Sequence, residues 1–83
     1  YPNPFNPLMK INFYLPIREN VDLKLFDMRG RLIESIVSGE YREGNHLLSW
    51  SPSSTGFRLS NGIYILELNT PSQRINKKVL YLK

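Results

Sequence analysis

Hydrophobic and polar positions alternate with a period of two over much of the chain, the spacing of half-buried β-strands. Met9, Ile11, Phe13 and Leu15 alternate with Lys10, Asn12 and Tyr14, and Pro16 stops the run. Val21, Leu23 and Leu25 alternate with Asp22 and Lys24 in a second strand ending at Asp27. Asp27-Met28-Arg29-Gly30 has turn chemistry, because an aspartate oxygen accepts from nearby backbone N–H groups and glycine tolerates positive φ. A third strand runs from Arg31 to about Val37, and its adjacent apolar pairs imply a bulge or two covered faces. Gly39 to Gly44 reads as a polar connection, after which His46, Leu48 and Trp50 share one face of a fourth strand.

Ser51 to Gly56 is rich in turn-forming residues and reads as an irregular loop. Ser60-Asn61-Gly62 is a sharp turn leading into Ile63–Leu68, the most β-prone run of the chain. The nearly unbroken apolarity of that run predicts a central strand covered on both sides. Asn69 to Ser72 makes the last turn and Gln73 to Leu82 the last strand, with Leu80 and Leu82 facing opposite to Val79 and Tyr81. No segment sustains a 3.6-residue period over the length of a helix. Six or seven short strands at near-regular spacing define an all-β protein, a sandwich or a barrel.

The opening heptad Tyr1–Pro7 holds three of the six prolines, which fix φ and restrict the residue before them. It reads as a stiff lead-in from an upstream domain, leaving residues 8–83 as one β domain. At 83 residues there is room for a single small core, and the absence of cysteine removes both disulfides and thiolate metal sites. No secretory signal peptide opens the chain and no apolar run is long enough to span a membrane.

The formal charge of +4 is unevenly placed. Residues 1–70 balance seven basic against seven acidic side chains, so the excess lies in Arg74, Lys77, Lys78 and Lys83. A uniformly basic chain would point to nucleic acid, whereas four cations spread along one strand make a poor phosphate track.

Candidate chemistry is sparse. A single histidine, His46, excludes a multi-histidine metal site, and no Gly-x-Ser-x-Gly elbow holds a serine nucleophile. His46 reads as a residue flanking the core. Asp22 and Asp27 lack the glycine and carboxylate spacing of an EF-hand loop, and Glu40 and Glu43 read as solvated turn residues. No glycine-rich phosphate loop opens a helix. Tyr14, Phe26, Phe57, Tyr64 and Tyr81 would suit a stacking platform for sugars or bases, but in so small a sandwich they read better as core or edge cover. Neither an enzyme nor a cofactor is expected.

In order, the landmarks Tyr1–Pro7, Ile11-x-Phe13-x-Leu15-Pro16, Val21-x-Leu23-x-Leu25-Phe26-Asp27-x-x-Gly30-Arg31, Gly44-x-His46-x-Leu48-x-Trp50, Gly56, Asn61-Gly62-Ile63-Tyr64 and the closing basic strand to Lys83 resemble the type A C-terminal sorting domain of type IX secretion cargo. The pattern is also similar to the immunoglobulin-like domain of flagellar hook-capping proteins. Where the family often has Trp-Asp-Gly, this chain has Trp50-Ser51-Pro52, without the carboxylate and the flexible glycine. The resemblance implies an immunoglobulin-like antiparallel β-sandwich of six to seven strands. It implies a non-catalytic signal that directs an upstream cargo domain from the periplasm of a Bacteroidota-type bacterium to the cell surface or exterior. The implied partners are the type IX translocon and outer-membrane shuttle proteins.

Residues and resemblance meet on the last hairpin, Gly62 to Lys83, as the recognised element. Gly62 would set its turn and Tyr64 would pack it to the body. Arg74, Lys77, Lys78, Tyr81 and Lys83 would face an acidic receptor. The competing reading of the lysines is protection of an edge strand against aggregation. A carbohydrate-binding module or a structural spacer of a multidomain extracellular protein are the alternatives for the whole domain.

Overall fold

The computed structural model describes residues 8–52 and 59–82. The lead-in Tyr1–Pro7, most of the loop after Pro52, Phe57 and Lys83 lie outside the described residues. Six strands follow in order: β1 (Met9–Leu15), β2 (Glu19–Asp27), β3 (Leu32–Tyr41), β4 (Gly44–Trp50), β5 (Gly62–Asn69) and β6 (Arg74–Tyr81). They form two antiparallel sheets, β1-β4 and β3-β2-β5-β6. The chain passes from one sheet to the other between β1 and β2, β3 and β4, and β4 and β5, which is the immunoglobulin-like sandwich expected from the sequence.

Alternation along each strand decides which face meets the other sheet. Ile11, Phe13 and Leu15 of β1 are buried against Val21, Leu23 and Leu25 of β2 and Tyr64, Leu66 and Leu68 of β5, with Trp50 and Leu59 completing the core. Edge strands β3 and β6 contribute only partly buried residues, among them Ile33, Ile36, Val37, Val79 and Tyr81. The stability of this small domain therefore rests mainly on β1, β2 and β5.

Two sequence expectations need correction. The stretch from Gly39 is not a connection: β3 continues through Tyr41, Glu40 lies within it, and Arg42 and Glu43 alone separate β3 from β4. Sequence pattern hides this length because β3 is an outer strand whose far end holds a half-buried glycine, Gly39, and an exposed charge, Glu40. The adjacent apolar pairs do mark bulges, since the register with β2 shifts between Leu23 and Lys24 and again between Leu25 and Phe26. Those shifts skip Ile36 and Ile33, whose side chains still pack on the core. The second correction concerns β5, which is central but fully covered on one face only: Tyr64, Leu66 and Leu68 are buried, while Ile63 is 46% exposed.

The β2–β3 turn is built as its residues dictate. Asp27 Oδ1 accepts from the N–H groups of Arg29 and Arg31, both at 2.9 Å, and Oδ2 accepts from Arg31 Nε at 2.9 Å. Gly30 sits at φ 86°, where a side chain would be strained. The backbone hydrogen bond from Arg31 is the largest of the contacts that hold the Asp27 carboxyl below its ordinary value of 3.8. A lowered folded-state value stabilises the fold above the ordinary value and is lost as pH falls through the lower one. The melting temperature of Asp27→Asn should thus fall below wild type at about pH 6, with the gap closing towards about pH 2. A gap independent of pH would show that the carboxylate charge plays no part.

Candidate recognition surface of the last hairpin

β5 and β6 pair without interruption from Gly62↔Tyr81 to Asn69↔Arg74. Thr70 closes the connection: its N–H donates to the Gln73 carbonyl at 2.8 Å, and its Oγ1 accepts from the N–H groups of Ser72 and Gln73. Glu19, buried at the start of β2, holds this turn to the body. Its carboxylate accepts from Ser72 N–H at 3.1 Å and from Ser72 Oγ–H at 2.8 Å. No sequence signal links Glu19 to Ser72, because the two are joined only by the folding of β2 beside β5.

At the other end of the hairpin, Gly62 opens β5 at φ 152°, and no neighbour lies within 4 Å of where a Cβ would stand. Its constraint is conformational rather than steric. Tyr64 is buried, and its hydroxyl donates to the Ser60 carbonyl at 2.7 Å. A tyrosine early in the strand that bonds four residues back is the tyrosine corner of immunoglobulin-like sandwiches. Burial is the main cause that pushes the Tyr64 hydroxyl above 10.0, so it stays a neutral donor at physiological pH. The Tyr81 ring meets the Tyr64 ring edge-on, with centroids 6.5 Å apart.

Register sorts the charged residues of β6. Side chains directly opposite each other share a face. Lys77 is opposite Leu66, and Ile75 opposite Leu68, so both lie on the inner face of the sheet. Arg74, opposite Asn69, and Lys78, opposite Ile65, lie on the outer face. Because β1-β4 is two strands wide against four, an open cleft of about 390 Å³ remains between Ile11, Phe13 and Ile75, with Lys77 and Gln73 on its wall. Ile75 is consequently half exposed although it faces inward. Among the described residues, Gln73 Nε2 and Trp50 Nε1 are buried without a hydrogen-bond partner.

The remaining candidates are dispersed. The His46 ring stacks on Phe13 at 5.2 Å and meets the Tyr41 edge at 5.1 Å, while Nε2–H donates to the Arg42 carbonyl at 2.6 Å. This is the core-flanking position expected of it. Asp22 accepts from Ser38 Oγ–H at 3.0 Å, and Glu40 pairs with Arg18 at 3.1 Å on open surface, where an ion pair contributes little. Tyr14 and Phe26 lie on opposite outer faces of the sandwich and do not form one platform. Among the described residues no three His, Cys, Asp or Glu side chains cluster as metal ligands, and no helix is long and apolar enough to cross a membrane.

The described residues thus form a small antiparallel sandwich whose polar groups serve turns and edges and whose outer strand β6 carries Arg74, Lys77 and Lys78. A family model described as a secretion system C-terminal sorting domain matches residues 1–81, and the chain belongs to this family. The domain is a C-terminal sorting signal for type IX secretion, and it marks proteins for the cell surface or extracellular space. No curated protein and no solved structure gives a significant match.

Proposed function

We propose that the domain acts without catalysis and is read by the type IX translocon and its outer-membrane shuttle proteins through the hairpin β5–β6. The observation that carries this reading is the concentration of the charge excess on β6, an outer strand whose Arg74, Lys77 and Lys78 are exposed. Glu19 and Tyr64 hold the two ends of the hairpin in place, so its cations are presented on a fixed frame. An acidic receptor groove is the complementary surface. The proline-rich residues 1–7 would connect this domain to the cargo.

The chain fused behind a secreted reporter tests this. Reversing Lys77, Lys78 and Lys83 to glutamate should lower export by roughly tenfold or more while the purified domain still melts cooperatively. Deleting residues 74–83 should abolish export. Export at the wild-type level after both changes would remove the hairpin from recognition.

A further inference from the structure

The outer face of the four-stranded sheet carries an apolar strip that the described residues leave uncovered. Pairing places Leu32 opposite Phe26, Phe26 opposite Ile65 and Ile65 opposite Lys78, one continuous row across all four strands. Ile63 and its partner Leu80 form the next outer pair, at the start of β5. Leu32 is 53% exposed and Ile63 46%, while Phe26, Ile65 and Leu80 are half-buried. The sequence of β5 is that of a strand covered on both sides, yet the described residues cover only one. Contiguous apolar surface of this kind marks an interaction site.

We infer that this strip, bordered by Lys78, is the face on which the export receptor docks, through an apolar centre and a carboxylate rim. The inference rests on the reading of β5–β6 as the recognised hairpin, and narrows it to one side. Charge selects the occupant. Lys24 and Glu67 stand opposite each other on this face and offset one another, Asp22 and Arg74 flank Asn69 with opposite charges, and Arg31 is paired with Asp27, which leaves Lys78 and the exposed Arg29 of the adjoining turn to set its sign. A second copy packed face to face would bring these cations towards their own kind, whereas a carboxylate-bearing protein surface would neutralise them. Lys77 points inward on this outer strand, where it also hinders the addition of another strand.

The chain fused to a secreted reporter separates these roles, with each variant also melted as the 83-residue domain. Ile63→Thr/Leu80→Thr keeps β-branched or strand-compatible residues, and Lys78→Glu changes only charge. Each should cut export by roughly tenfold or more, the scale of losing an anchor or a paired charge, with little change in melting. Lys10→Glu, exposed on β1 in the other sheet, should leave export within about twofold of wild type. If the double variant melts early, Leu32→Glu repeats the test at the most exposed apolar member of the row.

Wild-type export by the Thr variants, with loss on deletion of residues 74–83, would overturn the docking face while leaving the hairpin reading intact. Wild-type export after that deletion would sink the hairpin reading itself. Sedimentation of the wild-type domain as a dimer that the Thr variants dissociate would assign the strip to a second copy and overturn the inference. Binding to phosphatidylglycerol vesicles that the Thr variants abolish would assign it to lipid and do the same.

Discussion

Leu25→Ala should lower the melting temperature by on the order of 10–30 °C. Leu25 is 1% exposed on β2, a central strand, between Glu34 on β3 and Leu66 on β5. Removing a buried leucine leaves a cavity and costs about 2–5 kcal/mol. In a domain of this size each kcal/mol shifts melting by about 4–8 °C. Total stability for 83 residues is on the order of 4–12 kcal/mol, so the truncation removes a large part of it. Leu25→Met, which conserves volume, should cost less than about 1.5 kcal/mol and serves as the control. Calorimetry decides the matter, and equal melting of the two variants would show that Leu25 does not sit in a packed core.

Tyr64→Phe isolates one hydroxyl. The ring remains in the core, while the Ser60 carbonyl loses the donor that ties the approach to β5. The bond is partly buried and Ser60 is exposed, so its loss costs about 0.5–1.5 kcal/mol, a melting shift of roughly 2–12 °C. Tyr81→Phe should shift melting by far less, because the Tyr81 ring contact survives the change. Export of a Tyr64→Phe fusion should follow its melting curve, failing at growth temperatures near the new transition and recovering below it. Lost export from a fully folded variant would instead give the hydroxyl a direct part in recognition.

The sandwich is legible in the sequence because the buried faces of β1, β2 and β5 alternate cleanly, and burial on one face imposes a period of two. The outer strands are harder to read. β3 carries two bulges, and each extra residue reverses which side chains face inward, so its far end resembles a loop. Among the recognition candidates, the cations of β6 can be located on the chain but not on a face, since facing follows from pairing with β5. That pairing puts Lys77 inward and Lys78 outward although they are neighbours. Tyr64 reads as a packing residue, but its bond to Ser60 does not follow from apolarity; the four-residue spacing at the start of a strand is the available signal. Glu19 has no such signal. The outer strip is visible in part, as the double-sided apolarity of Ile63–Leu68, yet its continuation through Phe26 and Leu32 comes from strands distant in sequence.

The pairing of Met9 with Trp50 and of Asp22 with Asn69 has a temporal consequence. Neither sheet can close until distant parts of the chain meet, and such topologies mature on the order of milliseconds to seconds. β6 pairs only with β5, its neighbour in the chain, but that hairpin joins the sheet through the pairing of β5 with the distant β2. The address thus becomes legible late, as the domain completes itself, and a nascent or half-made chain carries its letters without yet spelling the word.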